Sequence, residues 1–187
     1  IDDPVRGQVF SNTNSYLNLE ATAALPHFAM NSSITVMAWA KQSAGPGSNY
    51  AYIIQVGQNG DNPITSLGIH TDGRVVSYAE TSQPGGNLDQ VNSYSSSSVE
   101  TGDVWGQWHH VAVVYDRSTD IVTFYIDGVA AGTNDISKLE DGYPFNWTQG
   151  RIGGDNNGSP YYQGLVDDAR IYDHAFTASE IEDIYES

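Results

Sequence analysis

The sequence predicts an all-β fold: a two-sheet antiparallel β-sandwich with one short helix at its C-terminal end. Three observations carry this. Short apolar or alternating runs recur along the chain, each closed by Gly, Asn, Asp or Ser, as expected of strands joined by tight turns. Asp72-Gly73 and Asp127-Gly128 stand between such runs, where a hairpin needs residues that tolerate positive φ. One helix signal occurs near the end, Thr177-Ala178-Ser179-Glu180. It is a capping box, in which the Thr hydroxyl and the Glu carboxylate satisfy early helix amides.

The elements follow in order. Arg6 to Phe10 and Ser15 to Leu19 flank a Ser11-Asn12-Thr13-Asn14 turn. In Ser33 to Lys41, the residues Ile34, Val36, Ala38 and Ala40 share one face, and Met37 and Trp39 share the other. Ala51 to Val56, Thr65 to His70 and Arg74 to Ala79 come next, the last two joined as a hairpin. Glu80 to Ser98 is rich in Ser, Gly, Asn and Gln and breaks the pattern, so it is expected as a surface excursion or part of a binding rim. Gln107 to Tyr115 contains the apolar run Val111-Ala112-Val113-Val114, expected of a strand covered on both faces. Ile121 to Ile126 and Val129 to Ala131 make a second hairpin, Arg151 to Gly154 a short strand, and Leu165 to Tyr172 the last one. Ile181 and Ile184 give the terminal helix one apolar stripe.

The whole chain, 187 residues, suits one domain spanning 1–187. Acidic residues number 23 against 7 basic ones, a net charge of -16. Such a chain repels phosphate backbones and anionic bilayers, which excludes nucleic acid and membrane surfaces as partners. No apolar run is long enough for membrane insertion. The acid excess serves solubility in a salty medium, gathers around a hard cation such as calcium, or does both. Cysteine is absent, so there is no disulfide framework, thiolate zinc site or cysteine nucleophile. That suits a secreted or cell-surface bacterial protein. Ile1 is not an initiator residue, which leads us to expect a segment of a larger protein.

Several motifs then stand in a familiar order. Gln8-Val9-Phe10 precedes Tyr16-Leu17-Asn18-Leu19, and Ile34-Thr35-Val36 precedes Ala38-Trp39. Trp108-His109-His110-Val111-Ala112 runs to Tyr115-Asp116 and is followed by Phe124-Tyr125-Ile126-Asp127-Gly128. Arg151-Ile152-Gly153, then Gly164-Leu165-Val166-Asp167-Asp168-Ala169-Arg170-Ile171-Tyr172, and last Ser179-Glu180-Ile181 complete the series. Together these closely resemble the laminin G-like jelly-roll domains of the concanavalin A-like lectin and glucanase superfamily, with the pentraxins a weaker match. The resemblance implies a non-catalytic domain that binds glycans or proteins beside other modules, in many cases with one calcium ion.

Two sets of site residues follow. Asp167 alternates with Ala169 and Ile171, which places it on the inward face of its strand. A carboxylate there needs a metal or hydrogen-bond donors. The resemblance implies that this position holds a structural calcium together with the N-terminal turn, here through Asn12 and Asn14, although the Asp-Gly usual in that turn is missing. The other reading is that Asp167 accepts backbone amide hydrogen bonds. The second set lies in the segment from Asp141 to Tyr162, together with Trp105, which sits before the strand at Gln107 to Tyr115. Tyr143, Trp147, Tyr161 and Tyr162 offer rings for the apolar faces of sugars, and Asp155, Asn156 and Asn157 offer partners for hydroxyls. Core packing and turn formation are the competing roles.

Enzyme readings find little. The resemblance to glucanases would call for a Glu-x-Asp-x-x-Glu strand, and none occurs. Neither a Gly-x-Ser-x-Gly elbow nor a phosphate loop is present. The five histidines show no zinc-site spacing. The expected function is therefore a non-catalytic, calcium-stabilised carbohydrate-binding module of a secreted enzyme or adhesin. A protein-binding or structural adhesion module of an extracellular surface protein is the alternative. The expected partners are other domains of a parent protein and a polysaccharide or oligosaccharide, neutral rather than anionic, because an acidic surface repels anionic glycans.

Overall fold

Among the described residues two six-stranded antiparallel sheets face each other, and a helix closes the outer side of one of them. The computed structural model describes residues 2–3, 7–8, 10–12, 16–20, 33–43, 50–57, 63–82, 88–98, 106–139, 149–154 and 162–187. A small ribbon of β1 (Asp2–Asp3) and β2 (Gly7–Gln8) comes first. The first sheet contains β3 (Phe10–Asn12), β5 (Ile34–Gln42), β10 (His109–Asp116), β11 (Ile121–Ile126), β12 (Val129–Asp135) and β14 (Gly164–Tyr172). Its spatial order is β12-β11-β10-β5-β14-β3. The second contains β4 (Leu17–Glu20), β6 (Tyr50–Gly57), β7 (Pro63–His70), β8 (Arg74–Ser82), β9 (Leu88–Ser98) and β13 (Gln149–Ile152). Its order is β4-β13-β6-β7-β8-β9.

The alternation expected of β5 and β10 is realised. Ile34, Val36, Ala38, Val111 and Val113 enter the core between the sheets with Ile53, Leu67 and Val75 from the opposite layer. Met37, Ala112 and Val114 face outward and are covered by Ile181 of α1 (Ala178–Tyr185). The helix begins where its capping box dictates: Thr177 Oγ1 accepts from the Glu180 amide at 3.3 Å, and Glu180 Oε2 accepts from the Thr177 amide at 2.8 Å. Its far end is tied down by Tyr185, which stacks on Trp39 at 5.6 Å. Asp127 makes the β11–β12 turn at φ 50°, and its carboxylate accepts from the His110 amide at 2.9 Å and meets His109 Nδ1 at 2.8 Å. Both histidines thus brace a hairpin.

One expectation fails in the second sheet. Glu80 to Ser82 extend β8, and Leu88–Ser98 forms β9 on its edge, pairing Tyr78 with Asn92 and Glu80 with Gln90. The strand escapes detection because Ser93 and Ser95 are buried where apolar residues would be expected. Ser95 is hydrogen-bonded there, and Ser93 lies opposite Ser77, which belongs to a hydroxyl cluster inside the sandwich. Val75 N donates to Ser95 Oγ at 2.9 Å, while the Ser77 hydroxyl bonds the Ser66 carbonyl and the Tyr115 phenol. Buried polar groups are tolerated when bonded in this way. Burial pushes the Tyr115 phenol up to about 12, against the opposing effect of bonds with Ser77 and Thr65.

Two predictions arise here. A Cβ at Gly164 would sit 2.2 Å from the Lys41 carbonyl oxygen and 2.9 Å from Gln42 Cα. These are backbone atoms of the paired strand and cannot swing aside, so Gly164→Ala should lower stability by about 1–3 kcal/mol in urea unfolding. Tyr115 has a folded pKa above its unfolded one, so its contribution is complete below about pH 10 and is lost as pH rises towards its folded value near 12. Tyr115→Phe should therefore lose less stability than the wild type between about pH 10 and about pH 12.

Candidate functional site

The outer face of the first sheet is occupied by α1. The outer face of the second carries a different population. Its inward positions, including Ala51, Ile54, Leu67, Ile69, Val75 and Ala79, belong to the core, so period-two alternation sends the residues between them outward. Register then builds a polar row across the strands. Asn18 pairs with Arg151, Arg151 with Gln55 and Gln55 with Ser66. Ser66 Oγ accepts from the Tyr78 amide at 2.9 Å, which continues the row onto β8. A second row sets Tyr52 opposite Gly68 and Gly68 opposite Val76. A Cβ on Gly68 would lie 3.1 Å from the Tyr52 ring, so the glycine lets that ring lie against the sheet.

The face has a floor and a rim. Gln55, Ser66, Tyr52 and Glu80 are 2, 1, 5 and 6% exposed and form the floor. Tyr16, Tyr50, His70, Tyr78 and Arg151 are half-buried and Asn18 is exposed. The Tyr50 and Tyr52 rings lie 5.1 Å apart, and the Arg151 guanidinium lies 4.1 Å from the centre of the Tyr16 ring. The Tyr78 phenol donates to Glu80 Oε2. Burial, the bond to Glu80 and the nearby Glu80 charge all push that phenol well above the usual tyrosine range. It is held as a neutral donor. At the β7–β8 hairpin, Asp72 meets His70 Nδ1 and the Arg74 guanidinium, each at 2.8 Å. Burial works to raise the Asp72 pKa, but bonds from the Arg74 amide and from the His70 and Arg74 side chains outweigh it and hold the group ionised. Aromatic planes beside fixed amide, hydroxyl and carboxylate groups suit recognition of a polyhydroxylated ligand. Among the described side chains the floor supplies one carboxylate, Glu80, where canonical glycoside hydrolysis uses two across the scissile bond.

The sequence-predicted residues fall differently. Tyr162 is fully buried in the core between the sheets, so its ring packs rather than meeting a ligand at the surface. Asp167 does not face inward. Asp168 adopts φ 49°, the β5–β14 register shifts between Asp167 and Arg170, and Val166 takes the core position in place of Asp167. One extra residue in a strand inverts the facing of everything before it. Asp167 instead lies opposite Trp39, half-buried, and accepts from the Asp168 amide at 2.9 Å. Asp168 holds Arg170 in a two-point bond at 2.7 and 2.6 Å. A cavity of about 250 Å³ lies beside these aspartates, lined also by Ile152, Val166 and Ala169.

Calcium takes about six to eight oxygens. No group of three or more acidic or histidine side chains able to hold a metal occurs among the described residues. Strand β3 does run beside β14, but Asn12 pairs with Gly164, about 10 Å along the strand from Asp167. The described residues alone therefore do not compose a calcium shell. Asn14, Trp105, Tyr143, Trp147, Asp155, Asn156, Asn157 and Tyr161 lie outside the described residues. In sequence, the segment 140–148 directly precedes β13, the strand that carries Arg151, and 155–161 follows it after Gly153 and Gly154.

The face itself could have been sought in the sequence. Its signal is polar residues at alternate positions of otherwise apolar strands, as with Gln55 after Ile53-Ile54 and Tyr78 and Glu80 around Ala79.

Solved structures of similar fold were found in number, and no curated protein matches. The botulinum neurotoxin serotype G binding domain has a TM-score of 0.67 at 15% identity, covering 94% of this chain and 41% of that one. The botulinum neurotoxin serotype D ligand binding domain in complex with N-acetylneuraminic acid gives 0.64 at 15%, covering 95% and 44%. The CBM40 of the Ruminococcus gnavus IT-sialidase, bound to α2,6-sialyllactose, gives 0.63 at 13%, covering 90% and 98%. This chain thus spans less than half of the two neurotoxin chains, and at such identities the likeness is one of fold. A family model matches residues 11–182, nearly the entire sequence, and on that match the chain belongs to the laminin G-like family of the concanavalin A-like lectin/glucanases superfamily.

Proposed function

We propose that this protein is a non-catalytic carbohydrate-binding module that takes an oligosaccharide on the outer face of the β4–β9 sheet. The observation that carries this reading is the row Asn18–Arg151–Gln55–Ser66–Tyr78, with half-buried tyrosines above a polar floor. Strands hold such groups in fixed positions, so the binding surface needs little ordering when a ligand arrives. Tyrosine suits the task, since its ring packs on the apolar face of a sugar while its hydroxyl bonds outward. The family membership and the sugar-bound proteins of like fold support the reading. The expected preference for neutral sugars finds no support beside those proteins, both of which hold an acidic sugar. Among the described residues no helix is long and apolar enough to cross a membrane. We place the module in a secreted or surface-exposed parent protein, where free glycans are met.

Binding to a broad glycan array is the direct test, and silence across the array would overturn the proposal. Glu80→Gln and Tyr78→Phe should each weaken a detected interaction about tenfold, since each alters a charge-assisted bond in the floor. An unchanged affinity in both would remove the site from this face.

Calcium belongs to the proposal as a structural ion near Asp167, with Asn14, beyond the end of β3, as the expected partner ligand. Its support is the charge of -16 and the family resemblance. Binding to the native state alone must raise the unfolding midpoint, by about 2.7 kcal/mol of stability at a hundredfold excess over Kd. A higher midpoint in calcium than in EDTA, abolished by Asp167→Ala, is the expected result. Identical midpoints would dismiss the ion.

A further inference from the structure

Tyr78 stands half-buried on the outer face of β8, and its phenol gives its hydrogen to Glu80 Oε2. A phenol has a single hydrogen, with lone pairs on its oxygen. The bond to Glu80 therefore leaves that oxygen able only to accept. Burial, that bond and the Glu80 charge together keep the hydrogen on the phenol. Ser66, beside it on β7, spends its own hydrogen in the same way. Its Oγ donates to the Tyr78 carbonyl at 3.4 Å and accepts from the Tyr78 amide at 2.9 Å. Ser66 and Glu80 are only 1 and 6% exposed, so of these three side chains the Tyr78 phenol is the one a ligand reaches.

The direction of the Tyr78 bond decides what can lie over it. A sugar hydroxyl both donates and accepts, so on most surfaces its hydrogen turns whichever way is needed. Here the ligand has to bring the hydrogen. A hydroxyl or an N–H does so, and the resulting chain from ligand to phenol to carboxylate is one in which each bond polarises the next. An ether oxygen, a carboxylate or a sulfate sets lone pair against lone pair, and an acid group adds repulsion from Glu80. For the phenol to donate to a ligand it would have to leave Glu80, and stripping a donor from a buried carboxylate is costly.

Building on the carbohydrate reading above, we infer that Tyr78 is a specificity-determining residue that accepts a hydrogen bond from the ligand. The sugar unit over β8 is one that presents an unsubstituted hydroxyl or amino group at this point and carries no acid group there.

The test begins with the whole chain on an array of neutral, amino, sulfated and carboxylated glycans. In the tightest hit each hydroxyl or amino group is then replaced in turn by fluorine and by methoxy, neither of which donates. At one position both replacements should weaken binding about tenfold or more, the range for a hydrogen bond in a charge-assisted chain. An amino group in place of a hydroxyl there should bind at least as tightly as the parent. Tyr78→Phe should bind parent and fluoro analogue alike at that position and keep its discrimination at the others, a pattern that loss of folding would not produce. The analogue series needs no variant, so it decides the point even where Tyr78→Phe fails to fold. Fluoro analogues that bind like the parent at every position, or a folded Tyr78→Phe protein that still discriminates at all of them, would overturn this inference and leave the carbohydrate reading standing. An array with no hits would overturn both.

Discussion

The register of β5 between β10 and β14 is the constraint on which the rest of the molecule depends. Val36 pairs with Val113 on one side and with Ile171 on the other. With that pairing, β5 sends Val36 and Ala38 into the sandwich and Met37 and Trp39 away from it. A slip of one residue would exchange the two sets. The outward pair then seats the helix, with Ile181 packed beside Met37 and Tyr185 stacked on Trp39. One outer face of the sandwich is thereby used for stability. The other carries Tyr50, Gln55, Tyr78 and Arg151, a set that a purely structural face would not require.

The bulge at Asp168 shows how a local feature resolves two demands on one strand. Toward its end β14 must place Ala169 and Ile171 against the core, and toward its start it must place Val166 there too. Three residues at positions 166, 169 and 171 cannot share a face at a strict period of two. The extra residue is taken up where Asp168 adopts a left-handed conformation, which aspartate tolerates better than most side chains. Its carboxylate then pairs with Arg170, and that of Asp167 accepts the following amide. The two acids next to each other thus serve the bend itself.

Much of the fold is legible in the sequence because local chemistry and tertiary demand agree there. Ile34 to Trp39 alternate cleanly, Asp127-Gly128 can only turn, and Thr177 with Glu180 starts a helix wherever it is placed. Legibility fails where polar residues occupy core positions. Strand β9 is hidden because Ser93 and Ser95 look like loop residues until β8 is set beside them, with Ser77 opposite Ser93 and the Val75 amide donating to Ser95 Oγ. The candidate site was hidden for the converse reason. Tyrosines in strands default to packing, and Tyr50, Tyr52 and Tyr78 become a surface only when β6 and β8 are set on either side of β7. The facing of Asp167 is illegible in the sequence because alternation alone carries no sign of an inserted residue.

How such an acidic chain recognises a ligand follows from the range of its forces. Salt at physiological strength screens the net charge beyond about 8 Å, so a ligand at the face responds chiefly to the groups within a few ångströms of it. Those groups are fixed by bonds already made. Ser66 is held by the Tyr78 backbone, Glu80 by the Tyr78 phenol, and Arg151 lies over the Tyr16 ring. A ligand must use the remaining lone pairs and N–H groups in the directions these bonds leave to them, and little rearrangement can rescue a poor fit. Selectivity on this face therefore comes from the geometry of a few anchored groups on neighbouring strands, and the strand register that builds the core sets that geometry as well.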